Sequence, residues 1–245
     1  MSVRIRFLGS GNAFADGGRS HACIHLSAPG VSLLLDCGAS SLPAIRRLAD
    51  PALISGIAVS HLHGDHFGGI PFLLDQQKWS HRTGGMVLAG PPSLERRVGQ
   101  LAAAYTMDFA TLGFPLTHVV LGSDERDVAG ARIAALPVYH SPDAEPHGLR
   151  VRVDGKLIAY SGDARWTDEL VAVARGADLF ICEASNFSVA DEKANPVHLS
   201  YETLVRRRAE LDCRRIVLTH LGTNTLAHLS ELQLDYAVDG TELAV

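Results

Sequence analysis

Three histidines and an aspartate fall within six consecutive residues, His61-Leu62-His63-Gly64-Asp65-His66, directly after an apolar, strand-like stretch. His61 and His63 are two positions apart, so on an extended strand end both rings point to the same side. Gly64 allows the chain to turn, which lets Asp65 and His66 face a second ion. A cation makes a cluster of neutral imidazoles and a carboxylate mutually favourable. This spacing therefore predicts a site for two metal ions.

The run has the form H-x-H-x-D-H and resembles the signature of the metallo-β-lactamase superfamily. The segment that follows, His66-Phe67-Gly68-Gly69-Ile70-Pro71, resembles the ribonuclease Z and cyclic phosphodiesterase branch of that superfamily. The superfamily pattern then requires a histidine after a later strand, an aspartate, and a final histidine after an apolar strand. His140, Asp163 and His220 stand in that order after the apolar stretches 133–139, 157–162 and 216–219. The resemblance thus extends over nearly the whole chain.

The resemblance implies two divalent ions with ligands from both halves of the chain: His61, His63 and His140 for one ion, Asp65, His66 and His220 for the other, and Asp163 bridging both. Metal coordination lowers the pKa of a bound water from 15.7 toward about 7, so a metal-bridging hydroxide is the expected nucleophile. Zn²⁺ suits a histidine-rich site, while Mn²⁺ and Fe²⁺ stay open on chemical grounds.

Two further residues resemble the acid machinery of ribonuclease Z-like enzymes. Glu183 and His198 match the glutamate and histidine that these enzymes use to protonate a leaving oxygen. Expulsion of an alkoxide needs a proton donor, and an imidazolium oriented by a carboxylate suits that task near neutral pH. The predicted catalytic residues are therefore Asp65, His198 and Glu183. Two alternatives stay open: His198 beside a helix cap, and Glu183 orienting a metal-bound histidine.

The candidate substrate contacts come from loops. Gly11 and Asn12 lie in a glycine-rich loop after the first strand, resembling the loop whose backbone amides approach the substrate phosphate in this branch. Arg19 is a candidate phosphate contact at the rim of the pocket, and His147 can reach the substrate from the loop after His140. A tight turn is the alternative for the glycine-rich loop and for His147.

Composition agrees with one hydrolase domain covering residues 1–245. The formal net charge of -5 argues against non-specific attraction to nucleic acid or to an anionic membrane. No apolar stretch reaches the length needed to span a bilayer, so a cytoplasmic location is expected. The four cysteines are scattered and are expected to be reduced core residues. The oligomeric state stays open, with a homodimer as one option.

Short β-rich runs alternate with helical ones, and the metal-type residues follow the strands. The pattern predicts helices at 40–49, 67–79, 93–104, 168–175 and 200–211, and a hairpin at 149–160 with an Asp-Gly turn. Loops at one edge of packed sheets can bring such residues together. The resemblance implies an α/β fold, the four-layer αββα metallo-β-lactamase sandwich.

The sequence is interpreted as a dinuclear metal-dependent hydrolase, with a small phosphodiester, linear or cyclic, as the expected substrate. Three alternatives stay open: a tRNA 3′-processing endonuclease, a lactonase or arylsulfatase, and a non-catalytic metal-binding or sensing module. Ribonuclease Z enzymes commonly carry a basic tRNA-binding arm between the third-motif histidine and the bridging aspartate. Only 23 positions separate His140 from Asp163, which favours the small substrate. The basic run Arg206-Arg207-Arg208 is the substitute for an arm that the sequence offers.

Overall fold

Two β-sheets of seven strands each form the centre of the molecule in the computed structural model, which describes residues 3–245. The strands, in chain order, are β1 (Arg4–Gly9), β2 (Cys23–Ala28), β3 (Val31–Leu35), β4 (Gly56–Ala58), β5 (Met86–Gly90), β6 (Leu116–Val120), β7 (Arg126–Val128), β8 (Ala131–Pro137), β9 (His147–Val153), β10 (Lys156–Tyr160), β11 (Ala177–Glu183), β12 (Cys213–Thr219), β13 (Asp235–Tyr236) and β14 (Glu242–Ala244).

Each sheet consists mainly of strands from one half of the chain, except that β14, the last strand, joins the first sheet. The first sheet has the order β14-β1-β2-β3-β4-β5-β6, and the second has the order β13-β12-β11-β10-β9-β8-β7. Strands β3 to β6 are parallel, as are β10 to β13, whereas the remaining neighbours pair antiparallel. Parallel strands end at the same edge of a sheet, so each sheet presents several strand ends side by side.

Side chains from the two facing sheets fill the space between them. Phe7 and Leu33 of the first sheet share one hydrophobic cluster with Ile133, Ile158 and Val217 of the second, and all five are almost completely buried. Alternation along each strand explains this, because every second residue points to the same face. Burial of a large apolar side chain stabilises the fold by about 1.5–3 kcal/mol.

The helices cover the outer faces of the sheets. They are α1 (Ser41–Leu48), α2 (Gly64–Phe67), α3 (Ile70–Trp79), α4 (Leu94–Ala104), α5 (Asp168–Ala174), α6 (Val189–Ala194), α7 (Tyr201–Arg206) and α8 (Thr223–Ala227). Ile45 of α1 and Leu73 of α3 pack on the first sheet, while Leu170 of α5 and Leu204 of α7 pack on the second. The resulting layers of helix, sheet, sheet and helix confirm the predicted αββα sandwich.

Two expectations differ from the structure in detail. The helix expected at 67–79 is two helices, α2 and α3, with a break at Gly68 and Gly69. The helix expected at 200–211 begins at Tyr201 and ends at Arg206, followed by a short 3₁₀ turn. All four cysteines are free. Within residues 3–245, no helix has both the length and the hydropathy that crossing a bilayer demands.

Candidate metal centre and active site

Five strands deliver the candidate site residues to one edge of the sandwich. In the first sheet, β4 leads into the loop that begins at His61, and α2 then carries Asp65 and His66. In the second sheet, the segments after β8, β10 and β12 carry His140, Asp163 and His220, while Glu183 is the last residue of β11. The facing sheets therefore bring together residues that are far apart in sequence.

The first cluster consists of His61, His63, His140 and Asp163, whose ligand atoms all lie within 4.8 Å of one another. The Nδ1 atom of His63 lies 3.2 Å from Nε2 of His61 and 3.1 Å from Nε2 of His140. The Oδ2 atom of Asp163 lies 3.7 Å from Nε2 of His61. These distances place three ring nitrogens and one carboxylate oxygen around a common point.

The second cluster consists of Asp65, His66, Asp163 and His220, and all four side chains are buried. The Nε2 atoms of His66 and His220 are 3.4 Å apart. The Oδ2 atom of Asp65 lies 3.3 Å from Nε2 of His66 and 3.2 Å from Nε2 of His220. Asp163 belongs to both clusters, as expected for a bridging ligand.

The spacing of the ligand atoms fits metal ions. Nitrogen ligands about 2.0–2.1 Å from a tetrahedral zinc ion are roughly 3.3–3.4 Å apart, close to the distances within both clusters. The Oδ1 atom of Asp163 makes no hydrogen bond within residues 3–245, although Nε2 of His66 lies 3.3 Å away. A buried carboxylate oxygen without a donor is costly unless a cation neutralises it. The two clusters are therefore suited to a dinuclear metal site.

Asp36 holds one of the candidate ligands in place. Its buried carboxylate accepts a hydrogen bond of 2.7 Å from Nδ1 of His66, so Nε2 of that ring faces the second cluster. The same carboxylate accepts from the Ser60 backbone N–H at 2.7 Å, the Ser60 hydroxyl at 2.8 Å and the Tyr160 hydroxyl at 2.8 Å. Outer partners of this kind fix the orientation and tautomer of ligand histidines.

Two further rings are oriented by similar contacts. Ser60 gives its hydroxyl hydrogen to Asp36, so the Ser60 oxygen accepts from Nδ1 of His61, 3.1 Å away, and Nε2 of His61 faces the cluster. Nδ1 of His140 donates to the backbone oxygen of Val197 at 2.9 Å. Nδ1 of His220 is buried and makes no hydrogen bond within the described residues.

Charge in the site favours cations. Burial works against ionisation of Asp163, but the imidazoles of His220 and His66 outweigh it and hold the pKa of this carboxyl well below its ordinary value. Burial and the neighbouring His66 lower the pKa of His61 well below that of a free imidazole. Burial also disfavours a charged His66, yet the carboxylates of Asp163, Asp65 and Asp36 raise its pKa. The carboxylates thus draw positive charge into a buried space.

Glu183 and His198 form a hydrogen-bonded pair beside both clusters. Nδ1 of His198 donates to Oε1 of Glu183 at 2.9 Å. The buried Glu183 carboxylate also accepts from the backbone N–H groups of Ala164 at 2.8 Å and Ser185 at 3.1 Å. Burial lowers the pKa of His198, but the Glu183 carboxylate more than compensates and raises it to about 9. The residue that Glu183 orients by a hydrogen bond is therefore His198.

Most of the loop residues predicted to contact substrate have partners inside the chain. The Gly11 N–H donates to the Ser20 oxygen at 2.8 Å, so it is not free for a phosphate. The buried Asn12 side chain donates to Asp16 at 2.8 Å and accepts from backbone groups of its own loop. The buried Arg19 guanidinium donates to the Ala237 oxygen at 3.0 Å. These contacts explain the three residues structurally, and their substrate role stays a prediction.

Asp36, Ser60 and Tyr160 are the residues of the site that the sequence interpretation missed. Asp36 carries one signal, since it is a charged residue directly after the apolar strand β3. Tyr160 carries none, because it reads as an ordinary core residue of β10 and is 1% exposed. Its polar role depends on a contact across 124 sequence positions.

A family model and several known proteins match this chain over most of its length. A family model described as "Anti-Pycsar protein Apyc1" matches residues 3–235. An uncharacterized protein of Mycobacterium leprae is 32% identical over 227 residues, covering 90% of this chain and 78% of the relative. A ribonuclease Z of Haloferax volcanii is 27% identical over 280 residues, covering 95% of this chain and 88% of the relative.

Solved structures show the same fold. The metallo-β-lactamase fold protein YhfI of Bacillus subtilis superposes with a TM-score of 0.81 at 17% identity, and the match covers 100% of both chains. The short form of human tRNase Z gives a TM-score of 0.78 at 22% identity, covering 98% of each chain. At these identities the structural likeness concerns the fold.

Proposed function

The chain belongs to the family described as anti-Pycsar protein Apyc1, and on that premise we propose that it is a metal-dependent phosphodiesterase acting on small linear or cyclic phosphodiesters. It is a metallo-β-lactamase superfamily hydrolase of the ribonuclease Z-like branch, with His and Asp clusters suited to two metal ions. To this hydrolase assignment the proposal adds two points, namely that the bond cleaved is a phosphodiester and that the substrate is small.

The observation that carries the proposal is the position of His198. Its ring lies 4.8 Å from that of His140 and 5.6 Å from that of His220, measured between centroids, so it borders both clusters. Because Nδ1 donates to Glu183, the proton available to a substrate is on Nε2. A proton donor at this point serves a reaction in which an alkoxide leaves, as in phosphodiester hydrolysis.

The clusters define what each residue would do. His61, His63, His140 and Asp163 would hold one divalent ion, and Asp65, His66, Asp163 and His220 the other, with zinc the most suitable metal. When bound, the ions supply an activated water and stabilise the oxygen charge that develops at phosphorus. Asp36 keeps His66 aimed at the second cluster, and His198 transfers the Nε2 proton to the leaving oxygen while Glu183 holds its ring.

The relatives support this substrate class. Several relatives are named ribonuclease Z, the name of a nuclease, and one structural neighbour is a diphosphatase of the PhnP family. Both names concern phosphate ester or anhydride bonds. A phosphorus centre is therefore favoured over the carbonyl of a lactone and over a sulfate ester.

The test compares substrates on one preparation. Protein reconstituted with zinc is assayed with bis(4-nitrophenyl) phosphate, a small cyclic phosphodiester, an aryl sulfate and a lactone, with Asp163→Ala as the inactive control. The phosphodiesters are expected to turn over faster than the other two by orders of magnitude. Faster hydrolysis of the lactone or the sulfate ester would replace the proposal with the corresponding activity. Metal binding without turnover of any substrate would favour a sensing module.

A further inference from the structure

We propose that Asn186 is a positioning residue of the active site, which holds the turn at 195–198 so that His198 and the ring of His140 keep their orientations. The inference rests on the proposed function, because it assigns a support to the proton donor of that reaction. Asn186 lies three residues after Glu183, in the segment that follows β11, and its side chain is buried. It is a member of neither metal cluster, so its effect on the reaction passes through other residues.

The turn that carries His198 has little apolar packing of its own. Helix α6, which precedes the turn, has no buried residue. Asn195 and Pro196 are exposed, and Val197 is only partly buried. A segment with few buried apolar contacts opens locally unless other interactions fix its backbone. The orientation of His198 therefore depends on the polar contacts that hold the turn.

The side-chain amide of Asn186 closes this turn with two hydrogen bonds. Its Nδ2 atom donates to the backbone oxygen of Asn195 at 3.1 Å and to that of His198 at 3.0 Å. An amide oxygen accepts but does not donate, so the two acceptors fix which end of the amide faces the turn. The backbone of Asn186 also pairs with the residues after the turn, since its N–H donates to the Leu199 oxygen at 3.1 Å and its oxygen accepts from the Tyr201 N–H at 2.9 Å. One residue thus bonds the turn at its start, at its end and beyond.

The turn serves both the proton donor and the metal centre. The ring of His198 is held by Glu183, which accepts from Nδ1 at 2.9 Å. The Val197 backbone oxygen accepts from Nδ1 of His140 at 2.9 Å, while Nε2 of His140 faces the first cluster. Val197 lies inside the turn that Asn186 closes. A shift of the turn would therefore move the proton donor and disturb a candidate metal ligand at the same time.

Glu183 and Asn186 support His198 at two different points. The Glu183 carboxylate fixes the rotation of the ring, whereas the Asn186 amide fixes the backbone from which the ring extends. Both are needed, because a ring of the correct rotation on a displaced backbone no longer reaches the leaving oxygen. A misplacement of about 1 Å can cost on the order of a hundredfold in rate.

The first test combines Asn186→Ala with two leaving groups, at saturating zinc. We expect kcat on a diester with an alkoxide leaving group to fall about 4- to 100-fold, because two hydrogen bonds are lost and each is worth roughly two- to tenfold. The loss should be much smaller with a nitrophenolate leaving group, and KM should change little on either substrate. Asn186→Ala added to His198→Ala should cause no further loss, because no proton donor is left to position.

The second test needs no turnover. We expect zinc affinity, measured by competition with a chelating dye, to fall about two- to tenfold in Asn186→Ala, because the Val197 oxygen then holds the His140 ring less firmly. Asn186→Leu provides a side chain of similar size without the two donors. It should have the same effects on zinc affinity and on kcat, which attributes them to the lost hydrogen bonds and not to lost volume.

Two control variants remove hydrogen bonds from the same region without touching the turn. Thr203→Val deletes a buried hydroxyl that donates to Glu192 at 2.7 Å, so it should lower the Tm and leave kcat and zinc affinity unchanged. Asn224→Ala deletes an exposed amide that donates to Asp191 of α6 at 2.9 Å and should leave both quantities unchanged as well. Circular dichroism verifies that each variant is folded.

The outcomes separate this inference from the proposed function. An equal loss of kcat on both leaving groups, a loss that adds in full to that of His198→Ala, or zinc affinity no weaker than in Thr203→Val would overturn the role of Asn186, even in a protein that hydrolyses phosphodiesters. Weaker zinc binding by Asn186→Ala and Asn186→Leu, in a protein that turns over no phosphodiester, would support Asn186 as the support of His140 and refute the phosphodiesterase.

Discussion

In several rings of the site one nitrogen faces the clusters, while the other makes a hydrogen bond that fixes the orientation of the ring. For His66 the partner is Asp36, for His140 it is a backbone oxygen, and for His198 it is Glu183. A carboxylate partner also favours positive charge on or near the ring, which a backbone oxygen does more weakly. The residues behind the ligands should therefore influence both metal affinity and proton transfer.

Asp36→Asn is expected to weaken zinc binding by about 10–100-fold, the usual effect of altering a partner of a ligand histidine. The exchange keeps the volume of the side chain but removes the charge that orients His66. Zinc affinity is measured by competition with a chelating dye. Asp50→Asn, at an exposed carboxylate that only caps a short turn, is the matched control. Unchanged zinc affinity in Asp36→Asn would show that His66 needs no such support.

His198→Ala is expected to lower kcat by about 10²–10⁴-fold on a diester with an alkoxide leaving group, because a positioned proton donor has been removed. The loss should be much smaller with a nitrophenolate leaving group, which departs without protonation. Metal content by elemental analysis should stay at the wild-type level. An equal loss on both substrates would assign His198 to substrate positioning instead.

The His198–Glu183 pair also predicts a dependence of stability on pH in protein stripped of metal. The pKa of His198 is about 9 in the folded chain, above the value of about 6.5 for an unfolded histidine. The folded state thus favours the protonated ring, so the stabilisation is complete below about pH 6.5 and is lost as the pH rises through about 9. The Tm difference between wild type and His198→Gln should follow that course. A difference that is constant from pH 6 to pH 10 would contradict it.

At the scale of residues, the sequence predicts the candidate metal ligands better than the residues that orient them. The spacing of His61, His63, Asp65 and His66 is local, so a single strand end and turn define it, and the resemblance adds the distant ligands. Asp36 is not predicted as a site residue, because its importance depends on which ring lies beside it after folding. Arg19 is the opposite case. The sequence predicts it as a phosphate contact, and only the fold reveals that its guanidinium donates to the Ala237 oxygen.

At the scale of elements, the short helix α2 depends on a close approach of the loop after β3. The Cys37 N–H donates to the His66 oxygen at 2.7 Å and the Ala39 N–H donates to the Gly64 oxygen at 3.1 Å, so this loop fastens α2 at both ends. Gly38 lies between these two contacts. A Cβ atom at Gly38 would lie 2.0 Å from the backbone oxygen of Asp65, far closer than any real contact.

Gly38→Ala is therefore expected to displace α2 and with it two ligands of the second cluster. We expect zinc stoichiometry to fall from two ions per chain to one or fewer, together with a lower Tm. Gly84→Ala, where a Cβ would meet nothing within 4 Å, is the control and should behave as wild type. Elemental analysis after dialysis gives the stoichiometry. Two firmly bound ions in Gly38→Ala would show that α2 can shift without loss of its ligands.

The elements that the sequence predicts well are those with a clear apolar face. Helices α4 and α5 and the hairpin of β9 and β10 appear within about two residues of their expected positions, because burial imposes their periodicity. Helix α6 was not expected. It has no buried residue, and a Ser188–Asp191 capping box with polar contacts defines it. The break between α2 and α3 also depends on packing, since a Cβ at Gly68 would lie 2.5 Å from the Gly64 oxygen.

At the scale of the whole molecule, charge and shape bear on the tRNA alternative. The interval from His140 to Asp163 is filled by a tight turn and the hairpin of β9 and β10, whose Asp154 and Gly155 both have positive φ, as a two-residue turn requires. Nothing in this interval projects from the sheet as an arm. The basic run at 206–208 is also largely engaged, since Arg207 pairs with Glu210 and Arg208 donates to backbone oxygens.

The last prediction is that precursor tRNA is a poor substrate. Affinity for nucleic acid comes mainly from phosphate contacts made by lysine and arginine, and a chain with a net charge of -5 and no arm offers few of them. At physiological salt we expect a Kd for tRNA no tighter than the non-specific range of about 10⁻⁴–10⁻⁶ M. An unrelated RNA hairpin of the same length should bind equally well, and Arg206→Ala should change neither affinity.

Cleavage at the tRNA 3′ end is compared with hydrolysis of a small cyclic phosphodiester on the same zinc-loaded protein. Because the relatives include ribonucleases Z, the contrary result has a clear meaning. Site-specific tRNA cleavage that outpaces the small diester would establish a tRNA-processing enzyme that grips its substrate without an arm.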